Sequence, residues 1–240
     1  MKKFQKLVLV VLAAAAVLPA CKKGEEDPFL SLRSRKSRVA GEWTVESREE
    51  KVTTSKVSPS VNSTSTETTT INGSTYTYNY TSGSNTTTIN GTVGTYKVTF
   101  EKDGAWKSTY EYTTVFTFGT SPFTTVETTL TKIESSGIWN FLGKVGDAKN
   151  KENLSVSTTS ENTVKTITSV TTTPSTVDTD VSTSSSSKSY APNESVQIWK
   201  LIQLKNKEMK GEIEIDNSEV NNATSTTEKR SGSISITLKQ

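Results

Sequence analysis

The chain has 240 residues, 31% of them hydrophobic, a formal net charge of +3, one cysteine and no histidine. The lack of histidine excludes Ser-His-Asp and Cys-His nucleophilic machinery; the same lack, with one thiol, excludes the usual zinc sites and any intrachain disulfide. The excess charge lies ahead of Cys21, on Lys2, Lys3 and Lys6 with no acidic residue among them, so the remaining chain is formally neutral and has no basic surplus for nucleic acid.

Residues 1–20 read as a secretory signal. A basic start precedes an apolar stretch from Leu7 to Leu18, and small Ala20 stands before the cut. The stretch is too short to span a bilayer, which takes about 20 apolar residues. The ending Leu18-Pro19-Ala20-Cys21 resembles a bacterial lipoprotein signal. The lipobox of that family places an aliphatic residue at Leu18 and a small one at Ala20, while Pro19 is an unusual middle residue. The resemblance implies removal of residues 1–20, lipid on Cys21, and membrane attachment through acyl chains.

Residues 22–27, Lys-Lys-Gly-Glu-Glu-Asp, form a solvated tether. They are similar to the surface-export signal of Bacteroidota lipoproteins, and equally to an ordinary charged linker. A short helix is predicted from Asp27-Pro28, because Asp caps and Pro suits the first helical position. It runs through Leu30, Leu32 and the basic cluster Arg33, Arg35, Lys36 and Arg38, which reads as a solvated face.

Roughly a third of the chain is Ser or Thr. Such a composition suits either a disordered stalk or strands. Strands are favoured, because the threonines alternate with Tyr, Val, Ile and Phe. The period-two pattern starts at Trp43 and Val45, and returns at Tyr76, Tyr78 and Tyr80. It continues through Tyr96, Val98 and Phe100, then Trp106, Tyr110, Tyr112, Phe116 and Phe118. Trp139 and Phe141 share a face. Val196, Ile198, Ile202 and Leu204 form another face, with Trp199 and Leu201 opposite. Met209, Ile213 and Ile215 follow, and Ile234, Ile236 and Leu238 close the chain. Asn72-Gly73, Asn90-Gly91 and Asp103-Gly104 signal hairpin turns, and a further turn is predicted at 205–208. Residues 52–70 and 171–189 are poor in large apolar side chains and are predicted as mobile loops. This pattern predicts an antiparallel barrel or sandwich of about eight to ten strands.

Gly41-Glu42-Trp43, at the start of the first strand after a short helix, resembles the Gly-x-Trp motif of lipocalins. The leader ending in Cys21, the run 31–36, Val98–Gly104, Gly137-Ile138-Trp139 and Trp199–Leu204 are similar to lipocalin-like lipoproteins of Bacteroidota. Lipocalins add an Arg near the end of the last strand that packs on the Trp; Arg230 precedes the last predicted strand here. The resemblance implies a leader at 1–20, a lipidated Cys21 with tether and short helix at 21–40, and an all-β, antiparallel lipocalin-like barrel at 41–240. It also implies a small hydrophobic ligand inside the barrel. The candidate ligand-binding residues are Trp43, Tyr96, Phe100, Trp106, Tyr110, Tyr112, Trp139 and Trp199, with Val98, Phe116 and Phe118 as further wall positions. Each of these is equally a core position, because aromatics supply most core burial.

Three carboxylate pairs, Glu101/Asp103, Asp178/Asp180 and Glu212/Glu214, share a face under strand geometry. Such pairs usually mark the solvent side, so no catalytic residue, metal or cofactor is expected. The Tyr76, Tyr78 and Tyr80 stripe suits sugar stacking, a protein partner or an inward strand face. The expectation is therefore a monomeric, non-catalytic, lipid-anchored outer-membrane protein holding a hydrophobic ligand. A surface interaction lipoprotein with a filled barrel is the alternative.

Overall fold

Threonine dictates the local structure. Its branched Cβ disfavours helix and suits a pleated surface, so the Thr-rich stretches become strands. The computed structural model describes residues 34–60, 62–143, 153–221 and 225–240. The leader, Cys21, the tether and the Asp27-Pro28 cap lie outside these residues. In chain order the elements are α1 (Arg35–Val39), β1 (Gly41–Val57), β2 (Asn62–Asn72), β3 (Thr75–Ser82) and β4 (Asn85–Phe100). There follow β5 (Ala105–Thr120), β6 (Phe123–Leu142), β7 (Asn153–Thr172) and β8 (Val177–Ser189). β9 (Val196–Leu204), β10 (Glu208–Asn221) and β11 (Thr226–Lys239) complete the sheet.

All ladders are antiparallel, and the sheet closes on itself. The circuit runs β6-β5-β4-β3-β2-β1-β11-β10-β9-β7 and returns through the β6–β7 pairing, with β8 hung on the outer edge of β7. This is the expected antiparallel barrel after a short helix, with ten strands in the ring. At one end Gly41–Thr44 of β1 pairs directly with Lys97–Phe100 of β4, bypassing the β2–β3 hairpin. The base of the barrel is thus an eight-strand circuit.

Away from the base two seams open. β4 and β5 pair no further than Gly91 opposite Thr114. β9 and β10 pair no further than Trp199 opposite Ile213. Beyond these points β5 to β8 form one lobe, and β10, β11 and β1 to β4 form the other.

The core lies at the base. Val39, Trp43, Leu154, Leu204, Met209 and Leu238 are fully inaccessible, and Phe100, Trp139 and Leu201 nearly so. Phe100 meets Trp139 edge-on at 5.5 Å and Trp199 at 6.1 Å between ring centroids. Each indole N–H donates within the protein, as an inaccessible donor must. Trp43 donates to the Val39 carbonyl (2.8 Å), Trp139 to Glu101 (2.9 Å), Trp106 to Ser157 (3.0 Å), and Trp199 to the Gln197 side chain (3.3 Å). Gly137 is required here, because a Cβ would collide with the Ser157 carbonyl of the neighbouring strand. Helix α1 covers this end. The Ser34 hydroxyl caps it by accepting from the Ser37 N–H at 3.1 Å, and buried Arg38 donates to the Leu204 carbonyl.

Several sequence expectations are corrected. Residues 52–70 and 171–189 are not loops: apart from their turns they form β1, β2, the end of β7 and β8. Ladder hydrogen bonds and branched side chains hold them extended, although among their described residues only Val52 and Thr54 are buried. Asn90-Gly91 is not a turn but lies inside β4; the chain turns at Gly83, whose φ is 59°. Gly91 instead permits close approach of the Thr113 carbonyl. In β9 it is Trp199 and Leu201 that point inward with Leu204, while Ile198 is exposed, because a bulge breaks the alternation beside Gly211. Arg230 is exposed and pairs with Thr54, far along β1 from Trp43.

Trp43→Ala is expected to lower the unfolding free energy by about 3–5 kcal/mol, the usual cost of emptying an aromatic core site. Val181→Thr, on the exposed β8, is expected to change it by less than about 0.5 kcal/mol. Urea unfolding followed by circular dichroism tests both.

Candidate functional site

Two bulges at the same height set up the interior above the core. The first, at Val45/Ser47 of β1, lets both Val45 and Arg48 face inward. The second, at Val93/Thr95 of β4, does the same for Val93 and Tyr96. The β2–β3 turn is fastened to both strands at this level: the Gly73 N–H donates to Glu46 O and the Val93 N–H to Ser74 O, each at 2.8 Å. Here the hairpin forks β1 away from β4.

The forked level carries a layer of tyrosines. Tyr76 stacks on Tyr112 at 4.8 Å, Tyr112 on Tyr110 at 4.9 Å, and Tyr110 on Tyr96 at 4.4 Å. Cross-strand partners share a face, which explains the assembly: Tyr96 pairs with Tyr110, and Val93 with Tyr112. Arg48 reaches the same space and bonds Glu50 at 2.7 Å, with about a fifth to a quarter of each side chain exposed. The Tyr110 hydroxyl is buried and has no hydrogen-bond partner.

The electrostatics follow from burial. It pushes the phenols of Tyr76, Tyr96 and Tyr110 up, Tyr76 to about 12, because a tyrosinate would lose its solvation. For Arg48 burial works against the charge, but Tyr96, Glu50 and Tyr110 together outweigh it and raise its pKa. The layer thus presents neutral phenols beside one compensated cation.

A hollow of about 240 Å³ opens at the fork. It is lined by Thr44, Val45, Val93, Tyr96 and Lys97, together with Gly73 and Ser74 of the β2–β3 turn. Its size lies just below the range of drug-sized pockets, which suits a single ring or a chain end.

The sequence-derived candidates divide into two groups. Trp43, Phe100, Trp139 and Trp199 are packed together in the base, with Val98 buried beside them and Trp106 at the margin of this core. Tyr96, Tyr110 and Tyr112 form the layer above. Phe116 and Phe118 stand near the rim and are exposed. Tyr76 belongs to the layer, and its sequence signal was the Tyr76, Tyr78, Tyr80 stripe. Arg48 and Glu50 left no such signal, because strict alternation from Trp43 and Val45 turns them outward; only the bulge brings them in. The carboxylates of Glu101/Asp103, Asp178/Asp180 and Glu212/Glu214 are exposed, and the described residues hold no cluster of three potential metal ligands. No protein-family model, curated protein or solved structure matches the chain.

The raised phenol of Tyr76 sets a pH dependence. Its proton is retained in the folded state above the ordinary value of 10, so folding stability is present in full below pH 10 and falls as pH rises towards about 12. Urea midpoints measured across pH 9–12 are expected to fall in this window, and less steeply in Tyr76→Phe.

Proposed function

We propose that this is a non-catalytic, lipid-anchored outer-membrane protein of the lipocalin-like kind that binds a small, mainly hydrophobic ligand at the tyrosine layer. The observation that carries the reading is the hollow at the β1–β4 fork, whose lining includes Tyr96, a member of the stacked phenols. Ring faces and Val45 and Val93 supply apolar contact, and the unpartnered Tyr110 hydroxyl supplies one hydrogen bond. The favoured ligand is therefore apolar or planar with a single hydrogen-bonding group. The anchor rests on the Leu18–Cys21 signal.

Native mass spectrometry of the full chain, taken from envelope membranes in mild detergent, is expected to show a small bound mass that is lost on denaturation. Tyr112→Ala is expected to reduce its occupancy at least about tenfold, the effect of losing roughly 1.4 kcal/mol of contact. A bare protein, or retention of the mass in that variant, overturns the site. The anchor is tested separately: labelled palmitate is expected to enter the wild type and to be absent from Cys21→Ala.

A second reading, an interaction lipoprotein with a filled interior, is favoured by the self-packing of the base aromatics and by the tyrosines stacking on one another. A bare mass with normal stability is its signature.

A further inference from the structure

The rim of the barrel is chemically lopsided. On the lobe formed by β5 to β8, no charged side chain occurs between Glu111 and Glu127, or between Lys165 and Asp178. These two runs hold the β5–β6 and β7–β8 turns. The turns are neighbours, because Thr124 pairs with Thr172 and Thr172 with Val177. Their apolar side chains stand in solvent: Phe118 is 47% exposed, Phe123 63% and Val177 70%. The hollow between the tips, about 230 Å³, is lined by Phe118, Phe123 and uncharged Thr and Gly residues. On the other lobe the rim carries charge, with Lys56 paired to Glu228 at 2.9 Å and Lys229 and Glu219 nearby in register.

Both faces of the β5–β6 ribbon carry apolar side chains among threonines, with no charge on the tip side of Glu127, which pairs with Phe116. Phe116, Phe118 and Phe123 share one face, and Val115 and Val126 the other, as their cross-strand partners require. A ribbon with uncharged, apolar-bearing faces on both sides of its tip does not match one flat protein surface. A bilayer interface surrounds such a ribbon on both sides, accepts aromatic rings at headgroup level, and penalises charge. Phe123 and Trp139 lie on one strand about 50 Å apart at the usual rise, so the tip is remote from the base where α1 sits.

We propose that the paired β5–β6 and β7–β8 tips are a second membrane-contact site, which inserts Phe118, Phe123 and Val177 into the interface of a lipid bilayer. It acts independently of any lipid on Cys21 and of any ligand in the barrel. Helix α1 and the tip lie at opposite ends of the barrel.

The test reads position, not overall binding. The full chain in a Cys21→Ala background receives a single labelling site, Phe123→Cys on the proposed tip or Lys56→Cys on the charged rim. Each is coupled to a nitrobenzoxadiazole probe and reconstituted in phosphatidylcholine–phosphatidylethanolamine vesicles. Doxyl-labelled lipid is placed either in the host vesicles or in a second population added afterwards. Quenching at 123 is expected to exceed that at 56 by at least about threefold, with a blue-shifted emission, as for interfacial insertion. With no lipid on residue 21, quenching from either population shows contact of the tip with a bilayer and supports the proposal. Adding Phe118→Ser is expected to weaken it without altering the circular dichroism spectrum. Equal, low quenching at both positions overturns the proposal. So does a blue shift at 123 that depends on protein concentration without vesicles, since the tip is then a self-association surface.

Discussion

Closure of the sheet at the base is the constraint on which the rest depends. The chain has too few large apolar side chains to fill a barrel along its whole length. It gathers them where eight strands converge, and strand ends from every part of the chain contribute to one core. Two long-range pairings, β1 with β11 and β1 with β4, bring those ends together. Hydrophobic burial at that level fixes the register of the long ladders above, because a one-residue slip would turn Trp43, Phe100 or Trp139 to solvent.

Beyond the base the economy is different. The upper strands bury little, and their order comes from ladder hydrogen bonds and from the stiffness of branched threonines. Threonine ladders add side-chain bonds across strands, such as Thr81 with Thr86 and Thr125 with Thr171. Such ladders do not need a continuous wall, so the seams between β4 and β5 and between β9 and β10 can open. The same property frees the lobe of β5 to β8 to present both faces to its surroundings.

The tyrosine layer lies at the boundary of these two regimes. Below it the side chains are packed against one another; above it they are half-exposed. The forked hairpin and the two bulges place apolar ring faces, one compensated cation and an unpartnered hydroxyl at this boundary, where a hollow also opens. A binding role is therefore argued from the layer and not from the base, although the base holds the larger aromatics.

How much was legible beforehand follows from which physical signals are local. Strand character, the shared phase of Tyr96, Val98 and Phe100, the Asn72-Gly73 and Asp103-Gly104 turns and the antiparallel all-β class were all written in alternation and turn chemistry, which act between near neighbours. The strands at 52–70 and 171–189 were missed because alternation marks a strand only where a large apolar face is buried, and of their described residues only Val52 and Thr54 are buried. Arg48 and Glu50 were missed because a bulge reverses the phase, and a bulge is decided by the partner strand. By itself the sequence determined that the chain would form antiparallel strands and placed the turns at Asn72-Gly73, Asp103-Gly104 and 205–208. Tertiary structure alone decided which aromatics became core and which became a candidate site, because that depends on the level in the barrel at which strands distant in the chain meet.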